Sequence, residues 1–132
     1  MRTATLPIQA ANITQNLFVL RAANMTLTTD QAFTKLFTGT NYVVTNVVAV
    51  TKSGAFGIAC LGGVYTAASK AGDAVVAAAQ AWAGLTALGL TVMVSAANII
   101  QKQETATPFL SLTTGNTGAL TADLFIQGVV TD

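Results

Sequence analysis

The sequence predicts an all-β chain, folded as an antiparallel β-sandwich behind an extended N-terminal arm. Three observations carry that expectation. Tyr42–Thr51 is dense in β-branched residues, which suit a pleated, half-buried surface. In the closing stretch Leu120, Ala122, Leu124, Ile126, Gly128 and Val130 alternate with Thr121, Asp123, Phe125, Gln127 and Val129, the clearest period of two in the chain. Between these runs, clusters such as Lys52-Ser53-Gly54, Ser69-Lys70-Ala71-Gly72-Asp73 and Thr114-Gly115-Asn116-Thr117-Gly118 cut the chain into strand-length pieces.

Taken in order, residues 1–15 carry Pro7 and small side chains without periodicity, and read as an arm. Leu6, Pro7, Ile8 and Ile13 give that arm apolar surface to lay on a neighbouring subunit, against the common fate of a frayed terminus. Residues 16–132 form one sandwich domain. Leu17–Arg21 is its first short strand, closed by Ala22-Ala23-Asn24, and Thr29-Asp30 marks a turn. Ala32–Phe37 alternates imperfectly and leans to strand, although Asp30 as a cap leaves one helical turn open. In Tyr42–Thr51, Val44, Val48 and Val50 share a face with Asn46, and Val43, Val47 and Ala49 share the other with Thr45. Both faces are mostly apolar, as for a central strand or one covered on its outer side by a partner.

Phe56–Leu61 is a candidate strand with a bulge at Gly57, and Gly62-Gly63 breaks the chain before Val64–Ala68. After the turn at Ser69–Asp73, Ala74–Trp82 suits helix as well as strand, because alanine is the best helix former. Thr86–Val94 returns to β-like composition. Pro108 can begin a strand but not sit inside one, so Phe109–Thr113 starts directly after it, and the turn at 114–118 closes a final hairpin.

Composition narrows the function classes. Charged residues make up 8% of the 132 residues, against roughly 25% in ordinary soluble domains. So sparse a charge leaves apolar surface that neutral polar groups or other subunits must cover. The net charge of +1 comes from scattered single residues, with no basic patch for phosphates, so no nucleic-acid partner is expected. There is no histidine, which removes the commonest general base and metal nitrogen ligand. The lone Cys60 excludes an internal disulfide and reads as a small buried thiol. The five acids stand singly, so neither a carboxylate pair nor a calcium loop emerges from spacing. The glycines at Gly54, Gly57, Gly62 and Gly63 lack the lysine that a phosphate loop needs. No catalytic residue, cofactor or metal is therefore expected. Tyr65 and Trp82 have the aromatic area to stack on a sugar, but suit core or subunit contact better.

No basic segment followed by an apolar run opens the chain, so no secretory signal is expected. Ala74–Gln101 is free of charge and long enough to span a bilayer. Its alanines gain little from lipid, and Gln80, Ser95 and Asn98 interrupt it. A small single-span membrane protein is the further alternative.

Tyr42-Val43-Val44-Thr45-Asn46-Val47-Val48, Gly62–Gly72, Ala77–Trp82, Phe109–Thr114 and Thr121–Ile126 together resemble small virion proteins of tailed bacteriophages. The pattern is most similar to the cement, or decoration, proteins of short-tailed phages, over roughly Asn41–Val130. The resemblance implies a sandwich of jelly-roll type with strand at Ala74–Trp82. It further implies a structural protein on the outer surface of the capsid, bound to the major capsid protein and commonly trimeric, bridging shell subunits without membrane contact. Leu6, Pro7, Ile8, Ile13, Tyr65 and Trp82 are the candidate subunit or capsid contacts. The competing reading is a tail fibre or receptor-binding module that presents Tyr65 and Trp82 to a host glycan.

Overall fold

A computed structural model describes residues 14–54, 57, 60–85, 91–95, 101–103 and 107–131. Its strands are β1 (Gln15–Asn24), β2 (Gln31–Ala32), β3 (Thr34–Lys35), β4 (Asn41–Gly54) and β5 (Leu61–Ala67). They continue with β6 (Ala71–Val76), β7 (Thr91–Ser95), β8 (Gln101–Gln103), β9 (Phe109–Thr114) and β10 (Leu120–Val130). The described chain is all-β. A six-stranded sheet runs β3-β1-β10-β4-β7, with β8 also on β4, and a four-stranded sheet runs β2-β9-β5-β6. Every pairing described is antiparallel.

The two sheets face each other across one core. The larger sheet supplies Phe18, Tyr42, Val44, Val47, Ala49, Leu124 and Ile126, and the smaller supplies Val64, Leu110 and Leu112, all buried. β10 is the spine of the larger sheet, and its burial alternates without a break, as its sequence requires. Phe18, Phe37 and Tyr42 close one end of the core edge-to-face, with ring centroids 5.4–5.6 Å apart. Edge-to-face contacts of this kind add about 0.5–1.5 kcal/mol each beyond burial.

Several elements differ from the sequence expectation, each for a physical reason. β9 and β10 are not a hairpin. β9 pairs with β5 and β2, β10 with β1 and β4, and the chain crosses the core between them. Alternation identifies a strand and its buried face but not its neighbour. The crossing is held by Asn116, whose N–H donates to Met25 O at 2.7 Å, while its Oδ1 accepts the Gly57 N–H at 2.7 Å. Ala32–Phe37 likewise divides between the sheets: β2 pairs with β9, β3 with β1, and buried Phe33 lies at the crossover, its N–H donating to Pro108 O.

β4 changes face midway. Gln127 stands opposite Asn46 and Gly128 opposite Val44, so Thr45 is the extra residue of a bulge. Tyr42, Val44, Val47 and Ala49 therefore point inward, and Val43, Asn46, Val48 and Val50 lie on the half-buried outer side. Strict alternation had placed Val44 with Val48 and Val50, which the bulge prevents. Gly128 is forced at this point: a Cβ there would lie 1.9 Å from Val43 O.

Gly62 and Gly63 do not break the chain but belong to β5. A Cβ on Gly62 would meet Leu112 Cα at 2.3 Å, and one on Gly63 would meet Val76 O at 2.4 Å, so their absence permits close strand approach. Ala74–Trp82 is neither helix nor one strand. β6 ends at Val76, a turn returns Gln80 N–H to Ala77 O, and the chain then pairs again with β5 through Leu61 and Ala81. Alanine's helix propensity loses here to tertiary pairing.

Of the candidate strand Phe56–Leu61, residues 56 and 58–59 lie outside the described residues. Gly57 and Cys60 are in no strand, and Leu61 opens β5. Residues 86–90 and 96–100 also lie outside, and so do residues 1–13 of the arm, whereas Gln15 already belongs to β1. Among the described residues no helix is long and apolar enough to cross a membrane. The 74–101 stretch contributes strands β6 and β7 instead.

Candidate functional site

Two surfaces gather the polar and aromatic side chains that chemistry would need. On the outer face of the larger sheet, cross-strand register builds three rows. Asn16, Gln127 and Asn46 form an amide row: Asn46 Nδ2 donates to Gln127 Oε1 at 2.8 Å, and Gln127 Nε2 donates to Asn16 Oδ1 at 2.9 Å. Thr45, extruded by the bulge, adds its hydroxyl to Asn46 Oδ1 at 2.8 Å and to Gln127 O at 3.2 Å. Val19, Phe125 and Val48 form the next row, apolar and buried to half-buried.

The third row is built around Asp123. β1 carries two residues, Arg21 and Ala22, in the space between the Leu20–Leu124 and Ala23–Ala122 pairs. Ala22 takes a positive φ of 50° there. Asp123 Oδ1 accepts the Ala22 N–H at 2.8 Å, and Oδ2 lies 3.4 Å from Arg21 Nη1. Arg21, its side chain 67% exposed, also lies over the Phe125 ring at 5.2 Å. A cation over a ring at an exposed site contributes about 0.5–1 kcal/mol. Asp123 is thus an anchor for a strand irregularity rather than a general acid.

On the smaller sheet the hairpin β5–β6 turns through Ser69 and Lys70, both at φ 59°, with Ala71 N–H returning to Ala68 O. Two successive left-handed residues define the turn that best suits hairpin twist, yet it usually takes Asn-Gly. Asp30 compensates by accepting the Ser69 N–H at 2.6 Å. That bond, with the Ser111 hydroxyl and the Lys70 charge, holds the Asp30 carboxyl below its ordinary value near 3.8. Lys70 Nζ also donates to Ser111 Oγ at 3.0 Å. A serine beside a lysine invites a nucleophile reading, but Ser111 is 1% exposed and its hydroxyl is taken between a cation and a carboxylate. The group works as a cross-link from turn to sheet.

Of the contact residues expected from sequence, Leu6, Pro7, Ile8 and Ile13 lie outside the described residues. Trp82 is in the core with 0% exposure, its Nε1–H donating to Gly62 O at 3.1 Å and its N–H to Cys60 O at 3.1 Å. A ring with no exposed area has nothing to lend a partner or a sugar. Tyr65 is 6% exposed, so it too offers no stacking platform. Cys60 is buried, and loss of solvent pushes its thiol up to about 11, which leaves it protonated and unreactive. Among the described residues no group of three or more His, Cys, Asp or Glu gathers to hold a metal.

The outer rows were not legible in the sequence. The one signal was Asn46 set among valines, and its meaning depended on the bulge. The chain matches no protein-family model, no curated protein and no solved structure.

Proposed function

We propose that this chain is a structural virion protein of the decoration type, which binds the exterior of a phage head and bridges neighbouring major capsid subunits. The observation that carries the reading is the outer face of the six-stranded sheet. There Val43, Val48, Val50, Phe125 and Val129 lie half-buried in a chain with 8% charged residues. A rigid two-sheet body with such a face suits docking on a lattice, and the role asks for no catalytic group. Binding to the assembled shell alone stabilises that shell by mass action. A homo-oligomer, with three copies the number the resemblance implies, would match closed symmetry in the lattice beneath.

The jelly-roll reading has support in the strand order. The sheets β1-β10-β4-β7 and β2-β9-β5-β6 exchange the chain repeatedly, as two Greek keys wound into a double sheet require. The test is co-sedimentation of purified protein with phage heads, together with thermal disruption of those heads. The expected result is bound protein, raised shell stability, and loss of both with Phe125→Ser while the free variant stays folded. Failure of the wild-type protein to sediment with any head would refute the proposal.

A further inference from the structure

A long charged side chain on a protein surface is ordinarily free to move, and docking must offset the rotamer freedom it loses when a partner fixes it. Arg21 is an exception. Its side chain is 67% exposed, yet two contacts hold it. The guanidinium carbon lies 5.2 Å from the centre of the Phe125 ring, and Nη1 lies 3.4 Å from Asp123 Oδ2. Both tethers are themselves fixed. Phe125 stands in register between Val19 and Val48, and Asp123 Oδ1 accepts the Ala22 N–H at 2.8 Å.

These contacts occupy little of the group. A guanidinium carries five N–H donors in a rigid fork, and Asp123 engages one of its nitrogens. Among the described residues no other acceptor reaches Arg21. The rest of the fork stands exposed beside the apolar row of Val19, Phe125 and Val48. Lys52 is also exposed, two residues beyond the Val50 that faces Asp123. Among the described residues this end of the sheet therefore sets two cations, Arg21 and Lys52, against one acid, Asp123. A single carboxylate balances that surplus and matches the planar fork with two parallel hydrogen bonds. A run of phosphates would need a basic patch, which these two separated side chains do not make.

We infer that Arg21 is the charged anchor of the docking face, pre-organised on Phe125 to receive an aspartate or glutamate carboxylate of the major capsid subunit. The inference rests on the docking reading above and names the partner's chemistry at one point of that face. Arginine set against apolar contacts is a frequent hot spot of protein interfaces. Because the side chain is positioned before docking, little of its freedom remains to be lost when the carboxylate arrives.

The test is co-sedimentation with phage heads over a salt series, using wild type, Arg21→Gln, Arg21→Lys and Lys35→Gln. Lys35→Gln removes the same charge from the edge strand β3, where Lys35 stands in register with the core residue Phe18. At low salt Arg21→Gln is expected to bind about tenfold or more weakly than wild type. Arg21→Lys should fall between them, since an ammonium keeps the charge and the place over the ring but not the fork. Lys35→Gln should bind as wild type does. Added salt should narrow the gap between wild type and Arg21→Gln, and amidating the exposed carboxyls of the heads should close it. Binding by Arg21→Gln equal to wild type, a loss matched by Lys35→Gln, or a gap that survives both salt and amidation would overturn the inference. Wild type absent from every head would refute the docking reading itself, whereas wild type bound without dependence on Arg21 would overturn this inference alone.

Discussion

Replacing Gln127 by leucine tests whether the amide row pins the register of the larger sheet. Gln127 sits between two irregularities, the shift in β1 after Asn16 and the Thr45 bulge in β4. Its side chain makes the bonds at 2.8 and 2.9 Å that tie β10 to both neighbours. Leucine preserves bulk and β-sheet compatibility but makes neither bond. Each net hydrogen bond contributes about 0.5–1.5 kcal/mol, and the partial exposure of this row favours the lower half. The expected loss is therefore about 1–2 kcal/mol. With an unfolding entropy near 2.1 cal/mol/K per residue, that corresponds to a fall in Tm of about 4–7 °C. Urea unfolding followed by Trp82 fluorescence measures it. Amide exchange in β4 should rise around Thr45, where the bulge loses its clamp. An unchanged or raised midpoint would refute the claim that the row fixes register, since the leucine would then merely extend the apolar surface.

Trp82→Phe removes the indole N–H from Gly62 O and leaves part of a fully buried site unfilled. A lost buried bond with its stranded carbonyl costs about 1–3 kcal/mol, and a midpoint within error of wild type would contradict the core assignment. Cys60, pushed up to about 11, should resist thiol reagents in the native protein and react fully once denaturant is added. Because its folded value lies above the ordinary one, its contribution to stability is complete below about pH 9 and is lost as pH rises towards 11. Cys60→Ala should flatten that alkaline slope. The Asp30 carboxyl is held low, so its contribution is present above the ordinary carboxylate range and fades as pH falls through the lowered value. Asp30→Asn should be less stable than wild type at neutral pH, and the two should converge in acid.

The fold class was legible because long strands announce themselves. β4 and β10 follow directly from β-branched density and alternation, and the turn at Ser69–Lys70 from its flanking polar residues. Partnership was not legible. The run Phe109–Thr113 and the run Leu120–Val130 each turn leucines inward, whether they lie side by side or face each other across the core. Their separation rests on Asn116 contacts with Met25 and Gly57, residues distant in sequence. The outer face of β4 was hidden for a related reason: a single extra residue at Thr45 exchanges the faces of everything before it, and nothing local in Val44-Thr45-Asn46 marks it. Trp82 shows the converse. Its size suited either a contact or the core, and its full burial with the indole N–H on Gly62 O places it in the core.

Imaging of intact heads that carry the protein, at a resolution that orients the two sheets, bears most directly on the idea that this weakly charged sandwich completes its surface on a larger assembly. The account predicts density for a 13.5 kDa body on the shell exterior, with the Val48–Phe125 face turned against capsid subunits. Heads without such density, or a docked sandwich with that face open to solvent, would contradict it.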